Sequence, residues 1–339
     1  MFPNAKATTL VIALLTLCQV AFGQTESSSF DFRFFMPPGS QTTYPGTIDS
    51  VGQVTGFYTD AGGVFHGFLR KTSGPIIVID PPGSVFTVAR GSTPAGVVSG
   101  YYSDGAGIYH GFIRDNGGIY TSFDAAAGSN STEPLAMNLY GQIVGFYIDS
   151  QQVFHGFVRN TDGSVVSFDA CGGTNTIADS INSAGQIAGY FLDSNNLQRG
   201  FVGNAYGVCH RFDPPGAAST LPTAINDSGN IVGNYLDSAG VQHGFLRTRG
   251  GKFFRIDPPQ SNFTVAANIG PDGIVVGYFT GGTAGEHGFV RQTDGTIVQV
   301  DVSGALDTSL FAINKRDVIV GNENQSNGVW EGLVLRYQP

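Results

Sequence analysis

Ile143-Val144-Gly145-Phe146-Tyr147-Ile148-Asp149, a short turn, His155-Gly156-Phe157-Val158-Arg159, a second turn and Ser167-Phe168-Asp169 form the stretch that decides the fold. Everything after residue 30 is this unit repeated. His-Gly-Phe recurs at His66, His110, His155, His243 and His287, and the same spacing lands on Arg199-Gly200-Phe201 and Glu331-Gly332-Leu333. Successive copies are 44, 45, 44, 44, 44 and 44 residues apart. So constant a period means one supersecondary unit repeated almost without insertion.

Within each copy apolar residues alternate with period two, in short runs bounded by Gly, Asn or Asp turns, so each copy reads as four strands, A to D. Strand A spans Thr176 to Asn182, and its counterparts end at Asn138, Asn226 and Asn314. Strand B runs from Gln186 to Asp193, strand C carries the His-Gly-Phe position, and strand D ends in Phe212-Asp213. Proline cannot donate to a ladder, so Asp213-Pro214-Pro215-Gly216 is a connection to the next copy. Three tight hairpins and one longer link per copy describe a four-stranded antiparallel meander, and meanders repeated about an axis form a propeller.

Strands B and C occur seven times, but strand D has only six copies in the body, ending at Asp80, Asp124, Asp169, Asp213, Asp257 and Asp301. Its seventh copy is Phe30 to Phe35, which precedes Met36-Pro37-Pro38-Gly39 one period before Asp80-Pro81-Pro82-Gly83. The expected fold is therefore all-β: a seven-bladed β-propeller of four-stranded antiparallel blades, its ring closed by the N-terminal strand. The single extra residue falls between Asp124 and Asn138, in the link from strand D to strand A.

The chain opens with Lys6, an apolar run from Leu10 to Leu17, and Ala21-Phe22-Gly23 before Gln24. This reads as a secretory signal over residues 1–23, too short to span a bilayer, followed by one propeller domain over 24–339. The expected localisation is secreted, extracellular or periplasmic; a lipid anchor at Cys18 is disfavoured by Leu17, where a small residue is wanted. With 41% hydrophobic and only 13% charged residues the chain has ample apolar surface to bury. A net charge of −9 argues against nucleic acid and anionic membrane as partners. After removal of the signal Cys171 and Cys209 remain, and both a disulfide and two free thiols stand open.

The ends of strand B (Asp60, Asp104, Asp149, Asp193, Asp237) and of strand D gather carboxylates on the face that carries the B–C hairpins. Arg70, Arg114, Arg159, Arg247, Arg291 and Arg336 end strand C and are expected to ring the opposite face. Clustered carboxylates suit a cation or a sugar, but Asp also makes turns by bonding its own backbone. The repeated histidines His66, His110, His155, His243 and His287 are expected to be structural, each bonding a neighbouring strand or an Asp within its own blade. Seven-fold rotation holds them apart, whereas metal ligands converge. His210 beside Cys209 is a poor metal pair. The compact Asp-x-Asp-x-Asp-Gly calcium loop, the phosphate loop and the nucleophile elbow are missing, so no metal, cofactor or catalytic residue is assigned.

The repeat resembles that of the HAF-type (His-Ala-Phe) bacterial extracellular repeat proteins. His-Gly-Phe followed by an aliphatic residue and Arg carries the likeness, with Ile-Asn, Gly-x-Ile-Val-Gly and Phe-Asp as further markers. The resemblance covers essentially all of the mature chain and implies a secreted bacterial repeat protein, without activity or binding residues to carry over. Four departures stand out: Arg199 and Glu331 in place of His, Gly281 in place of the hairpin Asp, and Asn322-Glu323-Asn324 in place of the aromatic pair.

The leading functional expectation is a binding or scaffolding propeller whose partner, an extracellular glycan or protein, meets the carboxylate face. Tyr58, Tyr102 and Tyr147 are placed to offer flat surfaces there, although blade packing is the commoner role of such aromatics. The alternatives are a carbohydrate-active hydrolase or lyase and a purely structural surface protein. For the enzyme, Glu133 is read as lying in the lengthened link and Glu286 as preceding strand C, so neither makes a convincing half of an acid–base pair.

Overall fold

The computed structural model describes residues 30–336, so the secretory-signal reading of residues 1–23 lies outside the described residues. Their only helical element is a 3-10 turn at Ala170–Gly172; the rest is strand and turn. After β1 (Asp31–Phe35) the chain forms a meander of β2 (Ser40–Ile48), β3 (Val54–Asp60), β4 (Phe65–Arg70) and β5 (Ile76–Ile79). The second meander is β6 (Phe86–Ser92), β7 (Val98–Ser103), β8 (Tyr109–Arg114) and β9 (Tyr120–Phe123). The third is β10 (Ser131–Met137), β11 (Ile143–Ile148), β12 (Phe154–Arg159) and β13 (Val165–Phe168). The fourth is β14 (Thr174–Ile181), β15 (Ile187–Leu192), β16 (Gln198–Gly203) and β17 (Cys209–Phe212). The fifth is β18 (Ala217–Ile225), β19 (Ile231–Asp237), β20 (Gln242–Arg247) and β21 (Phe253–Ile256). The sixth is β22 (Ser261–Ile269), β23 (Val275–Gly281), β24 (Thr283–Arg291) and β25 (Ile297–Val300). The last comprises β26 (Asp307–Ile313), β27 (Val318–Asn324) and β28 (Trp330–Arg336). β1 pairs antiparallel with β28, from Asp31 opposite Arg336 to Phe35 opposite Gly332, as the fourth strand of that meander.

The meanders are not isolated sheets. Single parallel bridges join Thr42 to Trp330, Ser131 to Tyr109 and Gln242 to Phe263, so the strands merge into three eight-stranded sheets and one of four. Strand A of each meander touches strand A of the next, and β2 lies against β26, β27 and β28.

The repeated glycines permit close approach. A Cβ on Gly145 would sit 2.0 Å from the Glu133 carbonyl oxygen, and one on Gly156 would meet Phe168 at 2.8 Å and Thr176 of the next meander at 2.9 Å. The phenylalanine that follows the second kind of glycine is the core: Phe68, Phe112, Phe157, Phe201, Phe245 and Phe289 are all buried. Fully burying such a ring stabilises by roughly 1.5–3 kcal/mol.

Polar side chains stitch neighbouring meanders together where strand A ends. Asn138 Nδ2 donates to the Asn182 carbonyl (3.2 Å), Asn182 to Asn226 (3.1 Å), Asn226 to Gly270 (2.9 Å) and Asn314 to Asp49 (2.9 Å). Each of the first three buried amides thereby satisfies a carbonyl one period away, and the Asn314 amide reaches the first meander from the last. Cys171 and Cys209 form a disulfide, which resolves the alternative left open by the sequence.

Candidate functional site

Antiparallel pairing brings the end of strand B, the start of strand C and the end of strand D to one face. There four of the five hairpin aspartates each meet a histidine of their own meander. In the third meander Asp149 Oδ1 accepts the backbone N–H groups of Gln151 (2.8 Å) and Val153 (2.9 Å), holding the hairpin, while Oδ2 faces His155 Nε2 at 3.3 Å. His155 Nδ1 lies 2.8 Å from Asp169. The same Asp–His–Asp bridge forms at Asp60–His66–Asp80, Asp104–His110–Asp124 and Asp237–His243–Asp257.

Where the sequence departs from the pattern, the bridge is rebuilt. Arg199 replaces His and spans Asp193 (2.9 Å) and Asp213 (3.7 Å), and its hydrogen bond holds the Asp193 carboxyl down to about 2. Gly281 replaces the hairpin Asp, and His287 Nε2 turns instead to the Thr283 hydroxyl at 2.8 Å. The hairpin backbone N–H groups, with help from the imidazoles, lower the pKa of Asp60, Asp104, Asp149 and Asp237. Burial disfavours the charged form of His66 and His155, but the hydrogen bonds and charges of their paired carboxylates outweigh it and raise both.

Tyr58, Tyr102 and Tyr147, the flat surfaces singled out from sequence, pack on the histidine rings at 5.1, 5.4 and 5.0 Å, and Tyr58 and Tyr147 are buried. A half-buried aromatic surface lies instead on the other side of β3 and on β28, β2, β4 and β6. Trp330, Tyr44, Phe57, Phe65 and Phe86 form a continuous half-buried row, with centroid separations of 6.0, 5.0, 5.5 and 4.8 Å. Phe86 also meets Tyr109 at 5.7 Å. This row runs across the last, first and second meanders at the carboxylate face.

Of the expected basic ring, Arg336 is exposed and Arg114 lies over Tyr120 of its own meander, while the other four are drawn inward. Arg70, Arg159 and Arg247 lie 5.0, 4.9 and 4.8 Å over Phe35, Phe123 and Phe212, which are strand D rings of the preceding meander, and Arg291 is buried. Burial lowers the pKa of all four. The cation–π contact takes up charge that would otherwise face water.

The sequence reading missed a group facing the axis. Glu133 lies in β10 and not in the link, and Glu286 lies within β24. A register slip in strand A, between Pro134 and Ala136 or Ala178 and Ser180, inserts one extra residue. At that bulge position the second meander carries Arg90 and the fourth Asp179. Burial raises Asp179 to about 8 and pushes up Glu133, with Arg90 opposing both; desolvation pushes the half-buried Tyr190 beside Asp179 up to about 12. No ion pair joins Arg90 to either acid among the described residues. Arg90 also reaches a cavity of ≈ 480 Å³ that opens among the strand A ends on the opposite face, walled by Met137, Ile181, Ile225, Ile269 and Ile313. His210 is exposed, and its neighbour Cys209 is committed to the disulfide. Among the described residues no group of three or more His, Cys, Asp or Glu is arranged to hold a metal, and no helix is long and apolar enough to cross a membrane.

No family model matches the chain, and no curated protein matches it. Among solved structures it is similar to the β-propeller domain of the Trilobed protease from Pyrococcus furiosus, with 11% identity over 86% of this chain and 95% of that one and a TM-score of 0.58. It is also similar to BP39L lectin from Burkholderia pseudomallei, with 10% identity over 88% and 98% and a TM-score of 0.53. A puromycin hydrolase matches with 11% identity and a TM-score of 0.62 over 88% of this chain, which spans 54% of that one. At such identities the likeness speaks for the fold alone, and that fold is an all-β propeller of repeated four-stranded meanders.

Proposed function

We propose that the chain is a secreted binding or scaffolding propeller of seven blades, closed by its N-terminal strand, whose carboxylate face takes an extracellular glycan or protein. The pairing of β1 with β28 and the Asn314 bond to Asp49 support closure; the Pyrococcus furiosus domain, by contrast, has an open velcro topology. The observation that carries the binding reading is the half-buried row from Trp330 to Phe86, flat apolar surface framed by aspartates and glutamates on a rigid rim. One structural relative is a lectin and another is a propeller carried by a protease, both consistent with recognition. Asp60, Asp104, Asp149, Asp193 and Asp237 contribute on this reading by fixing the hairpins that surround the row and by their field. Membership of the HAF-type repeat proteins fits a secreted chain of this composition.

The test is a screen of glycans and envelope proteins against the purified mature protein, followed by Phe65→Ala. A partner whose affinity falls severalfold supports the reading, and one that responds only to changes at Arg159 or Arg247 overturns it.

Glu133 and Asp179 favour a second reading, a carbohydrate-active enzyme working in the channel. Two carboxyls with raised pKa beside Arg90 are the kind of unlike, non-repeated acids that general acid–base chemistry needs. Release of reducing ends from a polysaccharide, abolished by Glu133→Gln and by Asp179→Asn, would establish it.

A further inference from the structure

The repeat is most altered where the sixth, last and first meanders meet at the carboxylate face, and the altered residues there are adjacent. Asp307, Asn324 and Trp330 are cross-strand partners, and Trp330 bridges to Thr42. Trp330 is the one tryptophan of the chain, and it stacks on Tyr44 at 6.0 Å. Glu286, at the matching edge of the sixth meander, accepts the Ser309 hydroxyl at 2.6 Å through Oε2, and its backbone N–H donates to Asp307 Oδ1 at 2.9 Å. Asp307 Oδ2 accepts from Asn324 Nδ2 at 2.7 Å. Asp307 thus positions both Glu286 and Asn324.

Beneath this row, on the same side of β27, the Asn322 carboxamide is fully buried, and neither of its polar atoms has a protein partner; Asn324 Oδ1 is also without one. Buried amides are otherwise satisfied in folded proteins. In the other meanders this position is Phe57, Tyr101, Phe146, Tyr190, Asn234 or Tyr278, so most of the ring is aromatic where Asn322 is polar. Asn234, the other polar member, accepts the Ala266 N–H of its neighbour at 2.8 Å.

We propose that this junction is an oligosaccharide subsite, in which one sugar ring lies on Trp330 and Tyr44 and the hydroxyls of the next reach Asn324 and Glu286. From β26 to β28 is two hydrogen-bonded inter-strand steps, roughly 10 Å, and Glu286 lies one meander further on, a span that suits a short oligosaccharide better than a single sugar. A flat aromatic surface matches the apolar face of a pyranose, and carboxylate and amide groups accept and donate to its hydroxyls. The cluster contains no Lys or Arg, so neutral sugars fit and uronic or sialic residues are repelled by Glu286 and Asp307. The inference rests on the carboxylate face being the binding face and names what is bound there.

Trp330 supplies its own probe. Selective tryptophan excitation of the mature protein, titrated with neutral cello-, manno- and malto-oligosaccharides, with the matching methyl glycosides and with uronic oligomers, reads occupancy directly. A saturable change is expected with a neutral oligosaccharide, with weaker binding of its single sugar and of the acidic oligomers. Calorimetry on Glu286→Gln, in which the Ser309 contact is retained, is expected to show affinity lowered about tenfold, as for the loss of a charged acceptor. Trp330→Phe, which keeps a ring in place, is expected to bind several times more weakly. No saturable change with any oligosaccharide overturns the subsite, as does binding untouched by both substitutions. If that untouched binding weakens in Phe65→Ala, the subsite falls while the binding face stands; if it weakens only when Arg159 or Arg247 is changed, both fall.

Discussion

His155 sits between Asp149 and Asp169 with both ring nitrogens facing carboxylates, an arrangement that favours the imidazolium. Its raised pKa gives stability that is fully present below the unfolded value of 6.5 and is lost as pH rises through the higher folded value. Asp179 acts in the same direction for another reason. With its carboxyl raised from 3.8 to about 8, the native state keeps a proton that the unfolded chain releases, so stability falls as pH climbs across that interval and levels off above it. The lowered hairpin aspartates work at the other end, and their contribution is lost as pH drops through their folded values. Thermal melts are therefore expected to peak in mildly acid buffer. Asp179→Asn should flatten the decline toward pH 8, which can reach about 1.4 kcal/mol per pH unit for one proton. His155→Ala should cost about 1–3 kcal/mol. A wild-type melting temperature that rises steadily from acid to pH 8 would contradict both assignments. The sequence made the histidines legible because they recur; it hid Asp179, since a one-residue bulge leaves no trace in an alternating pattern. Glu133 was misplaced because the adjacent Pro134 reads as loop, whereas the bulge seats a residue without an N–H within the strand.

At the scale of elements, strand order and hairpins were legible from the period, to within a residue or two at most ends. The bonds between elements were not, because Asn138 and the Asn182 carbonyl it contacts lie a full period apart. Separation in sequence also hid the stacking of Arg70, Arg159 and Arg247 on the preceding strand D, which takes part of the expected basic face into inter-blade seams. Two elements give tests. Removal of the chain through Phe35 takes away β1 and bares the edge of β28, so it should lower the melting temperature strongly and promote association through that edge; unchanged melting would show that β1 is dispensable. The disulfide ties the 3-10 turn to β17 across 38 residues. Replacing both cysteines with Ser should cost about 2–4 kcal/mol in chemical denaturation, and equal stability of the two forms would count against that loop-closure contribution.

For the whole molecule the sequence conveyed a repeated scaffold with two unlike faces and favoured the carboxylate one, but it did so on repeated residues, each of which answers first to its own blade. The structure adds what breaks the symmetry: the aromatic row from Trp330 to Phe86 on one face, and Arg90, Glu133 and Asp179 toward the axis. Recognition by loops on a rigid scaffold suits the first face, and a partner held there partly by carboxylates should weaken as salt screens exposed charge over about 8–10 Å. The most direct measurement is the amide-exchange footprint of the protein with and without its captured partner. Protection concentrated in the B–C hairpins, residues 60–65, 104–109 and 149–154, and around Trp330 is the predicted result. Protection confined to the A–B turns around Asn138, Asn182 and Asn226 would place the partner on the opposite face and contradict the account.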